Sequence, residues 1–359
     1  MLTDIRLEEI LTRIPSLTIG VVGDLFLDRY LDIDTALTEP SIETGLDAYQ
    51  VMRVRSLPGA AGTVINNLVA LGVKRVCPVS IIGDDGEGYE LRQALTRLGV
   101  VDLAKIVSTP DRRTPTYTKP MLHQAGQPPR ELNRLDIKNR TPTPAPLQDL
   151  VLEGLADTWP QVDALLVLDQ VSEDECGVVT ARVRELLAQL GEANPAKLIL
   201  ADSRERIGTF RNVSVKPNAR ECPNALLVWA MYRGLAGAPN PSTPPTNDVV
   251  VAFAQRIQRP VFCTMGERGI YVARQLGEGV KTTVIPAYPV TGPIDTVGAG
   301  DSTSAGIACA VAAGATLEEA AAFGNLVASV TIQQIGTTGI ASPDQLRQRW
   351  REVRGQPQA

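Results

Sequence analysis

The sequence predicts an α/β protein with a mostly parallel central sheet and helices on both of its faces. Two observations support this prediction. Apolar runs of strand length alternate along the chain with segments whose apolar residues recur at helical spacing. Three of the later apolar runs, 164–169, 197–202 and 212–218, end in an acidic or amide side chain. Apolar strands that alternate with helices are typical of parallel sheets, which bind ligands beyond the carboxyl ends of their strands.

The elements follow one another in a regular order. The segment "LTIGVVGD" (17–24) predicts a buried strand, and "AGTVINNLVALG" (61–72) predicts a helix that ends at Gly72. A second strand is predicted at 74–85, followed by an amphipathic helix at 88–100. The later predicted strands are 164–169, 197–202, 212–218 and 260–266.

Two regions interrupt this alternation. Residues 30–56 and 113–136 contain short alternating runs and turn residues but no helical pattern. We expect them to leave the main sheet as extended strands and to form one small β lid. The proline-rich segment 234–248 is predicted to be a surface loop. We therefore expect a single domain over residues 1–359 with the lid segments inserted.

Composition excludes several classes of protein. The 359 residues carry a net charge of -5, and their lysines and arginines are scattered, which disfavours nucleic acid and membrane surfaces as partners. The first thirteen residues do not resemble a signal peptide, and no apolar run approaches the about eighteen residues of a membrane span. Five widely spaced cysteines without a C-x-x-C pair favour a reduced, cytoplasmic protein.

The single histidine, His123, limits the chemistry further. A zinc site with several histidines is excluded, and a Ser-His-Asp triad would have to use this residue, which has no suitable neighbours in the sequence. We expect His123 to be exposed and without a partner. Any metal should therefore be held by oxygen ligands, as Mg²⁺ is.

The segment "PIDTVGAGDSTSAG" (293–306) is the most informative one. Gly298 and Gly300 allow a tight turn whose amides converge just before a helix, and this arrangement binds anions. Asp301 could accept a proton from a hydroxyl while the amides stabilise the charge on a transferring phosphoryl group. Simple N-capping of the helix by Asp301 is the alternative.

Three other segments suggest a site but have structural alternatives. Asn218 and Glu221 in "VKPNARE" could hold a magnesium-bound water beside a nucleotide, although a capping box explains them equally simply. Asp28 follows the first strand and suits sugar hydroxyls, or it is a solvated loop acid. The segment "FCTMGERG" (262–269) predicts a strand and a glycine-rich turn. The sequence has no P-loop, no dinucleotide-binding fingerprint and no nucleophile elbow.

Taken in order, these segments resemble the PfkB (ribokinase-like) carbohydrate kinases. "DTVGAGD" resembles the C-terminal signature of that family, "KPNARE" its N-x-x-E motif and "TMGERG" its nucleotide turn. The resemblance covers roughly residues 17–340 and is closest to the heptose-phosphate kinase domain of ADP-heptose synthases. It implies a ribokinase-like three-layer α/β/α fold. Because the nucleotidyltransferase half of those proteins would begin after about residue 340, we expect no such domain here.

The resemblance also implies roles for individual residues. ATP and Mg²⁺ are the expected cofactors. Asp301 would be the catalytic base, and the amides of Gly298, Ala299 and Gly300 would form the anion hole. The remaining implied residues are Asn218 and Glu221 for Mg²⁺ and the phosphates, Thr264, Gly266 and Asn325 for the nucleotide, Asp28, Gly59 and Thr63 for the sugar, and Asp295 for a monovalent cation such as K⁺. The resemblance allows a homodimer through the lid.

Departures from the family pattern lie on the sugar side. Ala60 and Thr63 stand where the family has the second glycine and the asparagine of its "GG-x-x-N" segment. Glu39 stands where heptose kinases have an arginine, and "LDQVSE" (168–173) replaces a segment that contains a lysine. We therefore expect an intact phosphoryl-transfer half and an altered acceptor half.

Three hypotheses follow. The first is an ATP-dependent kinase that phosphorylates a hydroxyl of a sugar or sugar phosphate. The second is a catalytically weak regulatory protein that keeps the nucleotide site, and the third is a nucleoside kinase of the same fold. The sequence does not identify the acceptor.

Overall fold

A nine-stranded sheet runs through the computed structural model, which describes residues 2–224, 247–277 and 279–354. Its strands, in spatial order, are β16 (Gly279–Ile285), β15 (Ile270–Leu276), β14 (Val261–Thr264), β13 (Ser214–Val215), β12 (Ile199–Ser203), β11 (Ala164–Asp169), β1 (Thr18–Gly23), β6 (Arg75–Gly83) and β7 (Ile106–Thr109). Neighbouring strands from β14 to β7 are parallel, while β15 and β16 form an antiparallel hairpin at one edge.

Helices cover both faces of this sheet. Their bounds are α1 (Asp4–Arg13), α2 (Ala61–Leu71), α3 (Gly86–Thr96), α4 (Ala145–Thr158), α5 (Ala181–Ala193), α6 (Asn247–Ile257), α7 (Ala299–Ala312), α8 (Leu317–Thr331) and α9 (Pro343–Val353). One apolar core contains residues of α1 to α3 and α7 to α9, and a second contains residues of α4 to α6. Strand β11 shows the division, since Leu166 and Val167 pack into opposite cores. The predicted three-layer α/β/α class is confirmed.

A second, smaller sheet forms the lid. Its strands are β2 (Leu25–Asp34), β5 (Val51–Ala60), β8 (Thr116–His123), β9 (Arg130–Glu131) and β10 (Leu135–Ile137), in the order β10-β8-β2-β5 with β9 on β8. The two-residue strands β3 (Glu39–Pro40) and β4 (Asp47–Ala48) pair separately. Strand β2 begins five residues earlier than the first predicted lid segment, directly after β1. The lid is therefore a continuation of the first core strand.

Some local expectations differ from the structure. The predicted strand at 212–218 is reduced to Ser214–Val215. The prediction of a histidine without a partner is wrong, because Nε2 of His123 lies 3.1 Å from Oδ1 of Asp32 within the lid sheet. The proline-rich segment 234–248 falls almost entirely outside the described residues. Within the described ranges, no helix is both long and apolar enough to cross a membrane.

Candidate active site

The predicted site residues gather at one edge of the main sheet. Strands β1 and β11 to β14 all end at this edge, and helix α7 begins at the same edge. Parallel strands present their carboxyl ends together, so polar residues that are distant in sequence meet at this edge. The lid rises from the same edge through β2.

Asp301 is the third residue of α7, and it does not cap the helix. The N-cap position belongs to Gly298, which has the left-handed φ of 78° that favours glycine. The Asp301 carboxylate makes no hydrogen bond with any described residue. The N-capping interpretation of Asp301 is therefore wrong. The carboxylate is left without a structural partner, half-buried at the start of a helix.

The amides around Asp301 differ in their availability. The Ala299 N–H donates to the carbonyl oxygen of Thr296 at 3.1 Å, so this predicted anion-hole donor is already engaged. In the described part of the chain, the N–H groups of Gly298, Gly300 and Asp301 have no partner. Unpaired amides at a helix N-terminus attract anions. Two of the three predicted donors, together with the amide of Asp301 itself, are free to bind one.

A buried lysine lies beside this turn. Lys216 is 3% exposed, and its Nζ lies 2.9 Å from Oδ2 of Asp202 at the end of β12. A Cβ added to Gly300 would lie 3.5 Å from the same Nζ, so the ammonium group borders the Gly-Ala-Gly turn. Ser304 of α7 also contacts Asp202, with 3.3 Å between Oγ and Oδ2. The strand ends and the helix start therefore share one charged cluster.

The pKa values of this cluster reflect its burial and crowding. Burial raises the pKa of Asp301 to about 7, and the negative charge of Asp202 contributes to the rise. The same two causes raise the pKa of Glu221 to about 7. Burial opposes the charge on Lys216, but the carboxylates of Asp202, Glu221 and Asp301 together outweigh it and raise the pKa of the lysine. Lys216 is thus a fixed cation, and Asp301 can exchange a proton near neutral pH.

Sequence reasoning did not single out Lys216 or Asp202. A signal for each is present, because Lys216 interrupts an apolar strand directly before Pro217 and Asp202 ends another apolar run. A lysine that continues a buried strand is unusual unless it is paired. Which acid would pair with it could not be read from the sequence, because the two residues come from different strands.

Asn218 and Glu221 form the reciprocal hydrogen bonds of a capping box. The Glu221 N–H donates to Oδ1 of Asn218 at 3.0 Å, and the Asn218 N–H donates to Oε2 of Glu221 at 2.7 Å. The other carboxylate oxygen of Glu221 makes no hydrogen bond with the described residues. Asn218 also pairs with Thr264 in a short parallel bridge. The capping box therefore lies beside the strand that leads to the predicted nucleotide turn.

The donor set fits a hard cation that is shared with a ligand. Among the described residues, no group of three histidine, cysteine or acidic side chains could hold a metal alone. The free oxygen of Glu221 can supply one ligand, and phosphate oxygens and waters would have to supply the others. Mg²⁺ is commonly bound in this way. Asp295 lies between Ile294 and Thr296, which line the adjoining cavity, and its two carboxylate oxygens accept the N–H groups of Val297 and Gly336 at 3.0 and 3.1 Å.

A cavity of about 450 Å³ opens next to the turn. The predicted residues on its wall are Thr264, Gly266, Ala299, Gly300 and Asn325, and the apolar side chains of Tyr288, Pro289, Val290 and Ile294 face it as well. The Asn325 amide donates to the carbonyl oxygens of Ile285 and Pro286 at 3.1 and 3.0 Å, so it fixes the segment after β16. The cavity has the size and the mixed lining of a small-molecule site.

The predicted sugar-side residues approach the turn from the lid and from α2. The Asp28 carboxylate lies over Gly59, where an added Cβ would be 2.8 Å from Oδ2. Nζ of Lys119 lies 3.5 Å from Oδ1 of Asp28. Burial raises the pKa of Asp28, and Lys119 partly offsets this rise. Thr63 is buried, and its methyl group would be 3.5 Å from a Cβ placed on Gly298. All three predicted residues border the site, on the side away from the cavity wall.

Ala60 has a strained backbone. Its φ of 54° and ψ of -118° belong to a region that glycine enters easily and other residues rarely adopt. Ala60 precedes the first residue of α2, the helix that carries Thr63. Ala60 therefore holds a glycine-like conformation at an energetic cost.

Comparison with known proteins supplies independent information. The family model described as pfkB family carbohydrate kinase matches residues 232–345. The "Bifunctional protein HldE" of Trichlorobacter lovleyi is 28% identical over 341 residues, covering 93% of this chain and 63% of that protein. The protein of the same name from Pelobacter propionicus is 30% identical over 350 residues, covering 93% and 64%. The chain thus spans somewhat less than two thirds of each of these relatives.

Solved structures show the same fold. Arabidopsis thaliana ribokinase, solved with ribose and ATP, matches with a TM-score of 0.60 and 16% identity over 93% of this chain and 98% of that chain. Phosphofructokinase-2 of Escherichia coli, solved with potassium, matches with a TM-score of 0.62 and 17% identity over 94% and 99%. The ribokinase-like architecture is therefore common to chains of very different sequence.

Proposed function

We propose that the chain is a carbohydrate kinase of the pfkB family, whose model matches residues 232–345, and that it transfers the γ-phosphoryl group of ATP to a hydroxyl of a sugar or sugar phosphate. One observation supports the proposal most. The Asp301 carboxylate, which has no partner among the described residues, lies at a helix start with unpaired amides. Ala299 and Gly300 beside it line the cavity, and the lid residue Asp28 is near enough to raise its pKa.

In the proposed reaction, the acceptor hydroxyl lies between Asp301 and the γ-phosphorus. Its proton passes to the Asp301 carboxylate while the new oxygen–phosphorus bond forms. The bond between the γ-phosphorus and the bridging oxygen breaks, and ADP leaves with the electron pair. The amides of Gly298, Gly300 and Asp301 and the ammonium group of Lys216 stabilise the negative charge of the transferring group.

We propose that Asn218 and Glu221 hold Mg²⁺ together with the nucleotide phosphates. When bound, the ion neutralises phosphate charge next to three carboxylates. Thr264 and Gly266 would line the nucleotide, and Asn325 would keep the adjoining wall in place through its bonds to Ile285 and Pro286. A monovalent cation near Asp295 remains a further prediction, as does a cytoplasmic location.

The proposal does not identify the acceptor molecule. We propose that Asp28 binds acceptor hydroxyls next to Gly59 and Thr63. Because Ala60, Thr63 and Glu39 depart from the heptose-kinase pattern, we expect ordinary heptose 7-phosphate to be used poorly. Turnover of this compound at about 1–100 per second, as in efficient kinases, would contradict the expectation.

An ADP-release screen tests the proposed function. The full chain is incubated with ATP and Mg²⁺ and with separate panels of sugars, sugar phosphates and nucleosides, and Asp301→Asn serves as the matched control. We expect release above the control with at least one sugar or sugar phosphate. Release with nucleosides only would favour a nucleoside kinase. Nucleotide binding without release on any panel would favour the regulatory protein, and calorimetry that detects neither ATP nor ADP binding would contradict all three.

We also propose a homodimer through the lid. Among the described strands, β5 pairs with β2 alone, so its outer edge has backbone groups without a partner in this part of the chain. Met52 and Val54 on this strand are 64% and 50% exposed. An exposed, apolar edge strand is usually covered by another chain, and a second copy of this protein offers a matching edge.

A further inference from the structure

Two arginines, Arg204 and Arg206, follow strand β12, and their side chains make different contacts. The Arg206 guanidinium bonds to both carboxylate oxygens of the buried Asp169, with Nη2 2.6 Å from Oδ1. Arg204 is exposed, and its guanidinium makes one weak bond, 3.4 Å from Nη2 to Oε1 of Gln170. It forms no ion pair with any described carboxylate. Arg206 therefore stabilises the fold through its bonds to Asp169, while the side chain of Arg204 makes only one weak hydrogen bond.

The backbone of Arg204 is nevertheless fixed at the edge of the active site. Its N–H donates to the carbonyl oxygen of Asp169 at 3.1 Å, and it lies two positions after Asp202, whose carboxylate holds Lys216. The positive charge of Arg204 lowers the pKa of both Asp301 and Glu221, partly offsetting their burial. The guanidinium is thus near the proposed base and the proposed metal ligand at the same time.

A further cation beside the nucleotide would offset part of the negative charge at this site. The negative charge of Asp202 raises the pKa of both Glu221 and Asp301, and Lys216 is already paired with Asp202. A nucleotide triphosphate adds more negative charge to this cluster. Arginine can donate two parallel N–H bonds to a phosphoryl group. Because Arg204 keeps only a weak bond to Gln170, little is lost when it turns toward such a ligand.

We propose that Arg204 leaves Gln170 and binds the γ-phosphoryl group of the bound nucleotide, as a catalytic residue of the transfer. The inference rests on the proposed function. The guanidinium makes and breaks no covalent bond. It donates to the non-bridging oxygens while the proton moves to Asp301 and the phosphoryl group moves to the acceptor.

Calorimetry with two nucleotides tests this without knowledge of the acceptor. The parent, Arg204→Ala and Arg204→Lys are titrated with β,γ-imido-ATP and with ADP, each with Mg²⁺. Because only the triphosphate has a γ-group, we expect Arg204→Ala to bind the imido-ATP about tenfold or more weakly, the usual size of a lost charge-assisted hydrogen bond. Its ADP affinity should stay at the parent value, and Arg204→Lys should recover part of the loss.

The control variant is Glu205→Gln, which changes the charge of the adjacent exposed residue and should alter neither affinity. Thermal melting verifies that each variant is folded. Unchanged imido-ATP affinity in Arg204→Ala, or an equal loss for both nucleotides, would overturn the role of Arg204 while the proposed kinase function stands. A parent protein that binds neither nucleotide would overturn both.

Discussion

At the scale of single residues, the chemistry depends on Asp301. Its side chain bonds to nothing in the described structure, so changing it to asparagine removes no structural contact. We expect Asp301→Asn to lower turnover by about 10²–10⁴-fold, the usual contribution of a general base. ADP release measures this loss, and circular dichroism should show an unchanged fold. Turnover close to the parent value would show that another group accepts the proton.

The pKa of Asp301 predicts a pH dependence. With a pKa of about 7, the base is ionised above neutral pH and protonated below it, so activity should rise as pH increases through about 7. Asp202→Asn removes one of the causes of the high pKa and should move this rise to lower pH. Ser304→Ala is the matched control, because it removes a bond to Asp202 but no charge. A rise that stays at the same pH in Asp202→Asn would contradict the assignment.

The same carboxyl also affects stability. Its pKa in the folded protein lies above the value of about 3.9 for an aspartate in an unfolded chain. The folded state therefore holds this proton more tightly, and the stabilisation is present below about pH 4 and is lost as pH rises to about 7. Asp301→Asn does not titrate, so it should melt at a higher temperature than the parent at pH 8, with a smaller difference at pH 4.5. A difference independent of pH would exclude this linkage.

At the scale of elements, the start of α2 contains stored strain. Ala60 has a φ of 54°, and Ala60→Gly should stabilise the protein by about 1 kcal/mol or more, because glycine adopts this conformation without steric cost. Urea unfolding measures the change. Ala61→Gly, one residue later inside the helix, should instead destabilise by about 0.5–1 kcal/mol or more. Equal effects of the two substitutions would show that the backbone of Ala60 is not strained.

Elements with strong local signals were predictable from the sequence. Helix α2 ends at Leu71 before a left-handed Gly72, and the turn before α7 uses Gly298 as expected from its glycines. The structure was harder to predict where an element is very short or where one sequence pattern is typical of two kinds of structure. Strand β13 has two residues, and Lys216, which follows it, contacts Asp202 only because separate strands pack side by side. A capping box and a metal site require the same residue types, so Asn218 and Glu221 satisfied both interpretations.

At the scale of the whole molecule, the lid edge predicts assembly. Met52→Lys combined with Val54→Lys places charges on the exposed edge strand β5, and we expect it to convert a dimer into a monomer in sedimentation velocity. Val284→Lys is the control, since Val284 is 47% exposed on β16, the edge strand of the main sheet. A parent that is monomeric at all concentrations, or a double variant that stays dimeric, would contradict assembly through the lid.

The continuity of β1 and β2 also has a consequence for the order in which the proposed substrates can bind. Gly23 has a φ of 154° and no room for a side chain, because an added Cβ would lie 2.2 Å from the Leu168 carbonyl oxygen. The chain passes there from the core to the lid, so Asp28 belongs to the lid while Asp301 belongs to the core. Any tilt of the lid about this glycine would separate the acceptor's hydroxyl-binding group from the base without disturbing the nucleotide cavity. In the proposed kinase the nucleotide cavity would therefore stay formed when the lid tilts, and we expect ATP to bind whether or not the acceptor is present.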